Sequence, residues 1–426
     1  MPRTIGTSLT ESNTSPLLLD PPRRVLLISD HADPLAPPGR GYQGGQNVYV
    51  HALAAGLASS GHRVDVATRA EDPSRPGWQP IVGGARVVRL RAGVIGPLPR
   101  DRFAEVLDEF VAGLDRLWLA VGGYDLVHSH YWYSGLAALH LARANGVPLV
   151  HSHMSIGAVR RAALAREALD PAQRELFAER HRAETRLGWE ADAVTAYCPA
   201  DAAVQHRLLG TPPERVHIAS PGVDSAALRP VDRVLARDRL GVPREVPVVL
   251  YVGRLEARKG LAELAAALPG VREAYPRTRL IVVGGSGDPA DPEWAAACAV
   301  LRRHGASEDM RGSVASHELA SYYSAADVTV VPSHYEPYGL VAVESLACGT
   351  PVVAARVGCL EWLIADDAVG RTVPPRAPDA LAGAIMEIVR SGRGTYTAAC
   401  RRRALERFTA EQWITAIRRT YLAVRP

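Results

Sequence analysis

Long apolar runs are missing from this sequence: no window supplies the ~20 consecutive apolar residues that a membrane-crossing helix needs, so no membrane-crossing helix is expected. The opening residues, MPRTIGTSLTESNTSPLLLD, are rich in Ser and Thr and carry only a short Leu run, so they lack the apolar stretch of a signal peptide and read as a flexible leader over residues 1–22. Cysteine is scarce. Cys198, Cys298, Cys348, Cys359 and Cys400 are odd in number and far apart, with no CxxC and no metal-ligand spacing, which fits a reduced, cytoplasmic protein. Clustered basic charge is also absent, because the net charge of +4 is spread over many Arg and Glu residues, so nucleic acid is not an expected partner.

What is present is an ordinary globular composition, 47% apolar and 22% charged, on 426 residues, a chain longer than one hydrophobic core usually supports. Two domains are therefore expected. From Arg24 a short Val/Ile/Leu run repeatedly precedes a helical pattern, the signature of a parallel α/β sheet with helices on both faces. VLLIS opens the series, and a helix follows near Asn47 with Val50, Leu53, Ala54 and Leu57 on one face and a stop at Ser60-Gly61. RVDVAT, DLVHSH, PLVHSH, AVTAY and RVHIAS continue it. A second series runs through VPVVLYVGR, RLIVVGG, DVTVVPS and PVVAAR, and the Pro- and Gly-interrupted stretch around Pro221 to Arg229 separates the two. The expected division is a Rossmann-like domain over 23–225, a second over 226–405, and a terminal helix over 406–426 with Phe408, Trp413, Ile417 and Tyr421 in register. In such sheets ligands sit beyond the carboxyl ends of the strands, so the loops there are the candidate chemistry.

In the second half, GRLEARKG follows a strand and sets Arg254 and Lys259 where two cations could hold a diphosphate, beside Gly253. HYEPYGLVAVE places Glu336 and Glu344 eight residues apart around the turn Tyr338-Gly339-Leu340-Val341, whose free N–H groups at a helix start suit a phosphate or a sugar hydroxyl. GGSG, from Gly284, ends a strand and allows close backbone approach. In the first half, a long loop ends in Gly44-Gly45 just before a helix, and SHYWYSG puts Tyr131 at another strand end.

These segments together resemble the retaining GT-B glycosyltransferases of the family 4-like group, which includes sucrose-phosphate synthases and bacterial sugar transferases of small-molecule metabolism. The stretches around GGQNVY and SHYW look most like the mycothiol-pathway transferases that move N-acetylglucosamine onto inositol phosphate. The resemblance implies two facing Rossmann-like domains with a cleft between them and a terminal helix crossing back. It implies Arg254, Lys259 and Glu336 as catalytic groups, Glu344 on the ribose, Gly44, Gly45, Gly253, Gly284, Gly339, Leu340 and Val341 against the donor, and the turn Arg311 to Val314 against the base. Asn47, Arg100, Tyr131, His153, Ser155 and Arg180 then stand at the acceptor, with the Arg-rich segment from Ala158 to Glu184 read as one helix. Two departures are visible: Met154 stands where the family has His, and Cys359 and Glu361 replace a Gly and a Pro or Arg.

The expected reaction is retaining transfer from a nucleoside-diphosphate sugar to a small polar acceptor, with the departing phosphate taking the acceptor's proton. With no Asp-x-Asp site in the matched loops, no cofactor and no obligatory metal are expected. The acceptor stays open between an inositol phosphate, an aminocyclitol and a thiol intermediate of natural-product or antibiotic assembly; base, sugar and homodimer formation stay open too. Two rivals remain, a nucleotide-sugar epimerase of the same fold and a non-catalytic nucleotide-sugar-binding protein.

Overall fold

A computed structural model describes residues 23–36, 44–163, 169–305 and 309–424. The expected leader and residues 37–43 of the loop before Gly44 lie outside the described residues. Eight strands form the first sheet: β1 (Arg24–Ile28), β2 (Arg63–Arg69), β3 (Trp78–Pro80), β4 (Arg86–Leu90), β5 (Leu126–His130), β6 (Leu149–Ser152), β7 (Ala193–Ala196) and β8 (Val216–Ile218). Their order is β3-β4-β2-β1-β5-β6-β7-β8, parallel throughout except where β3 runs against β4. The second sheet comprises β9 (Val248–Val252), β10 (Arg279–Val283), β11 (Asp309–Met310), β12 (Val328–Val331), β13 (Val352–Ala355) and β14 (Gly370–Val373), in the order β11-β10-β9-β12-β13-β14, all parallel. Strand order reverses between β1 and β5 in one sheet and between β9 and β12 in the other, and those two points are where an open sheet offers a crevice.

The central strands are buried on both faces, as parallel strands covered by helices must be. β4 departs from the apolar pattern because two arginines stand in it, and each finds a carboxylate from elsewhere in the fold: Arg86 Nε lies 2.5 Å from Asp65 and Arg89 Nε 2.7 Å from Asp33. The helix after the Gly44 loop spans Gly45–Ser59 and so begins two residues before Asn47. The segment read as one helix from Ala158 to Glu184 is two helices, Gly157–Ala163 and Pro171–Glu190. Asp170 ends the first reading, because its carboxylate caps the Gln173 N–H while the Gln173 side chain returns to the Asp170 N–H, and Pro171 sits at the first helical position.

The chain passes between the two sheets twice, and the crossings pair with each other: Val223 N–H donates to the Phe408 carbonyl at 2.9 Å and Ala410 N–H to the Val223 carbonyl at 3.0 Å. The terminal helix, Ala410–Ala423, then lies on the first half. Its Trp413 stacks 4.7 Å from the Tyr49 ring, and the Tyr421 hydroxyl meets His128 Nδ1 at 2.8 Å. That contact enters a buried polar file in which His128 Nε2 meets Ser152 Oγ at 2.9 Å, while His151 joins Ser129 Oγ at 2.8 Å and His153 at 3.3 Å.

Burial keeps this file neutral. It lowers His130 to about 4 and His153 to about 3, and it holds His128 and His151 well below the ordinary histidine range. Below about pH 6.5 the unfolded chain protonates these rings while the folded chain does not, so the unfolded state binds more protons and stability falls as pH drops towards the folded values. The urea midpoint read by tryptophan fluorescence is expected to fall steadily from pH 7 to pH 5, with a shallower slope in His130→Asn. A midpoint that stays level in both proteins would show that these rings exchange protons without unfolding.

Candidate active site in the interdomain cleft

At the β9/β12 reversal, two loops are driven together by backbone contact. The loop from Gly253 to Gly260 follows β9, and a Cβ at Gly260 would stand 2.0 Å from the Pro332 carbonyl oxygen after β12, so no other residue fits its φ of +76° there. One strand over, a Cβ at Gly284 would meet the Gly253 carbonyl oxygen at 1.9 Å, and Gly253 N–H donates to Val283 at 2.9 Å. His334 N–H donates to the Arg258 carbonyl at 2.8 Å, which fixes the second loop on the first.

That docking brings side chains from distant positions into contact. Lys259 Nζ lies 2.5 Å from Glu336 Oε2, a pair 77 residues apart in the chain. Glu256 bridges Arg254 at 2.7 Å and Arg258 at 2.6 Å. Burial pushes the Glu256 carboxyl up, but Arg258 and Arg254 outweigh it and hold the group below its ordinary range. Beyond them Gly339 caps the helix Leu340–Ala347, whose first residues are Leu340 and Val341. Glu344, one turn in, accepts the Tyr323 hydroxyl at 2.6 Å, and burial raises its carboxyl against that bond.

Across the cleft a second cluster surrounds Tyr131. This residue holds φ at +81°, a strained value for a non-glycine, at the turn from β5 into the helix Trp132–Asn145. Arg100 and Arg180 place their guanidinium carbons 5.4 Å and 4.9 Å from its ring centroid. Arg180 is anchored by Glu184 at 2.6 Å and by Ser155, whose Oγ accepts at 2.8 Å, while Glu184 also receives the Gly157 N–H. Arg160 completes the group. Burial lowers its guanidinium, and the positive charges of Arg100 and Arg180 add to that effect. Its Nε has no acceptor among the described residues.

Between the halves lies a cavity open to solvent, whose walls include His153, Met154 and Ser155 from the first half and Tyr335, Glu336 and Gly358 from the second, so each cluster contributes to its lining through Ser155 and Glu336. Gly44 joins the two sides directly, since a Cβ there would lie 3.4 Å from Arg254 Cδ; beside Gly45 the space is open.

Four expected site residues are used differently from the sequence reading. Arg311 turns its guanidinium to Asp309 and to the Leu240 carbonyl at 3.0 Å, away from the cleft, so only its backbone is left near the Gly284–Gly312 contact. Val314 packs into the apolar cluster under β10. The Tyr338 hydroxyl donates to the Pro221 carbonyl at 2.6 Å and so faces the interdomain crossing. Asn47 is buried, with its amide accepting from Gly44 N–H at 2.9 Å and donating to the Asp33 carbonyl at 2.7 Å, which makes it the clamp of the Gly44 turn.

Residues that the sequence reading left out are Arg160, Glu184, Glu256, Arg258 and Tyr335. One signal was countable: among the 49 Lys and Arg residues, Lys259 is the single lysine.

Residues 44–222 match the glycosyl transferase 4-like domain, and residues 232–407 match glycosyl transferases group 1. The D-inositol 3-phosphate glycosyltransferase of Acidothermus cellulolyticus is 39% identical over 383 residues, covering 87% of this chain and 84% of that one. Its counterpart in Segniliparus rotundus is 38% identical over 395 residues, covering 89% and 83%. The chain belongs to this glycosyltransferase family. Among solved structures, sucrose-phosphate synthase from Thermosynechococcus elongatus matches this glycosyltransferase with a TM-score of 0.85 at 34% identity, over 94% of this chain and 98% of that one, so the paired sheets form a GT-B fold. No helix among the described residues of the enzyme is long and apolar enough to cross a membrane.

With one lysine in the glycosyltransferase, an amine-directed acylating reagent modifies a single side chain besides the α-amino group. A UDP-, GDP- or ADP-sugar that occupies the site is expected to slow labelling of Lys259 by about tenfold or more. Lys259→Ala, Lys259→Arg and Glu336→Ala are each expected to lower turnover by about a hundredfold or more with folding retained. Labelling indifferent to every nucleotide, together with near-normal turnover in Lys259→Ala, would remove the pair from the chemistry.

Proposed function

We propose that this enzyme transfers a glycosyl group, with retention of configuration, from a nucleoside-diphosphate sugar to a small polyol that carries a phosphate. The observation that carries the reading is the convergence of Arg100, Arg160 and Arg180 on Tyr131, opposite the Lys259–Glu336 pair. Three guanidiniums gathered in a partly buried pocket repel one another, and an acceptor dianion would relieve that repulsion while forming charge-assisted hydrogen bonds. The D-inositol 3-phosphate acted on by the named relatives is an acceptor of that chemistry. An aminocyclitol, cationic at neutral pH, or a thiol would bring no phosphate charge to this group, in which Glu184 already pairs with Arg180.

In this reading the acceptor half is residues 23–225, the donor half residues 226–405, and residues 406–426 return to the acceptor half. Arg254, Lys259 and the N–H groups at the start of the helix Leu340–Ala347 stabilise the diphosphate as it leaves. Glu336 orients the transferred sugar and Glu344 the ribose. The acceptor oxygen attacks the anomeric carbon on the face from which the phosphate departs, and the phosphate oxygen takes the proton, so no side-chain base is required. His153, held neutral with its Nε2 unpartnered and buried among the described residues, is suited to a hydrogen bond within the pocket and not to holding a charge. Both halves of the site come from one chain, so the reading does not call on a homodimer. Five free thiols support a reducing, cytoplasmic setting.

The test pairs each nucleotide sugar with inositol 3-phosphate and with unphosphorylated inositol. Transfer is expected to the phosphorylated polyol, at least about a hundredfold faster than to the free one, with Arg160→Ala raising KM for the phosphorylated acceptor by about tenfold or more. Equal rates with both would overturn the phosphate assignment. A changed sugar in donor incubated alone would favour the epimerase, and donor binding without turnover across all acceptors would favour a binding protein.

A further inference from the structure

Two cysteines that the transfer reaction does not use meet at the seam between the halves. Cys198 follows β7 and caps the helix Pro199–Leu209, while Cys359 follows Gly358 and opens the short helix Leu360–Leu363. They are 161 residues apart in the chain, yet their sulfurs lie 2.6 Å apart and both side chains are fully buried. The remaining thiols are elsewhere, with Cys298 against Met310 and Cys400 facing the Val369 carbonyl.

The two sulfurs differ chemically. The bond from Cys359, followed by backbone N–H groups of Asp201 and Ala200 at the helix start, holds the Cys198 thiol below its ordinary range despite burial. The same bond, with burial, pushes the Cys359 thiol up. The helix-start N–H groups favour Cys198 as the attacking sulfur and leave Cys359 as the resolving one.

Their place in the molecule is mechanical as well. Tyr197 and Asp201, flanking Cys198, line one wall of the cleft cavity, and Gly358, next to Cys359, lines the other. A Cβ at Gly358 would stand 1.8 Å from the Glu336 carbonyl oxygen, so the Cys359 backbone is tied to the loop that carries Glu336. The two sulfurs share one buried cluster with Val223, Phe408 and Trp413 of the interdomain crossings, so a bond between them would add a covalent tie at the hinge about which the cleft opens and closes.

We propose that Cys198 and Cys359 form a redox modification site, oxidised by a peroxide to an interdomain disulfide that restrains the hinge at the present separation of the two halves. The Cys198 thiolate attacks one peroxide oxygen, the O–O bond breaks, and hydroxide leaves a sulfenic acid behind. The Cys359 sulfur then attacks that sulfur, the S–S bond forms as the S–O bond breaks, and water departs. Overall, two thiols give two electrons and two protons to one hydrogen peroxide, yielding two waters. Both sulfurs are buried, next to Tyr197, Asp201 and Gly358 of the cavity wall, and in reducing compartments such bonds are transient and regulatory.

The test treats the reduced full-length chain with a small excess of hydrogen peroxide. Titratable thiols are expected to fall from five to three. A non-reducing tryptic digest should link the peptides ending at Arg207 and Arg371, and Tm should rise by several degrees because the new link closes a long loop. Turnover should drop by about tenfold or more and return after dithiothreitol. Cys198→Ser, which keeps a helix-capping side chain, should keep its thiol count and its turnover under the same treatment, whereas Cys359→Ser should lose one thiol, as a sulfenic acid at Cys198, and form no link. Five surviving thiols, oxidation of Cys198 without the linked peptides, or a link that leaves Tm and turnover unchanged would overturn the proposal. Thiol count, peptide map and Tm need no substrate, so they stand whether or not the phosphorylated acceptor is correct.

Discussion

An ammonium and a carboxylate, Lys259 and Glu336, meet where the second sheet reverses its strand order, and the architecture around the cleft serves that contact. Neither side chain could reach the other unless the loops after β9 and β12 were pressed together. Backbone sterics at Gly260 and Pro332 do that work. The pair is only partly exposed, so its electrostatics are stronger than in water, and in the proposed reading a diphosphate beside it would enter a field already oriented. Glu256, between Arg254 and Arg258, keeps the neighbouring cations in fixed directions.

The use of cations follows their shapes. Guanidiniums occupy sites where several acceptors lie in one plane: Arg180 joins Glu184, the Ser155 hydroxyl and the Ser155 carbonyl, and Arg258 joins Glu256 and the Tyr335 carbonyl. The one lysine presents a compact charge with freely rotating donors, paired with Glu336. In a protein that otherwise carries arginine at every basic position, that exception is itself informative.

The halves are joined by few elements, so the width of the cleft depends on local contacts. The paired crossings at Val223 and Phe408 to Ala410, and the terminal helix seated by Trp413, Ile414 and Tyr421, form the durable connection. The contact between Cys198 and Cys359 lies in the same buried apolar cluster as these crossings, beside Tyr338 and its bond to the Pro221 carbonyl, and elsewhere the halves meet through slighter contacts such as Arg376 on the Ala163 carbonyl at 3.0 Å. A hinge with one firm side closes around ligand without rebuilding either core, and a covalent bond within that side would restrict its motion.

Local order was legible along the chain. Alternation of apolar strands with helices, the glycine turns before Asn47 and after β9, and the two glutamates around Gly339 are properties of neighbouring residues, and their periodicity carries the fold class and the family's motifs. The Asp170-Pro171 cap was equally visible, although the helix was first read through it. What only the tertiary structure decided is which distant groups converge. Arg311 turns to Asp309, Asn47 holds its own loop, and Arg160 joins Arg100 and Arg180. The arginines of β4 are neutralised by Asp65 and Asp33, and two thiols 161 residues apart touch. The reason is physical: a backbone pattern is set by steric and hydrogen-bonding preferences between near neighbours, whereas the charge, burial and partner of a side chain are set by whatever packing brings against it.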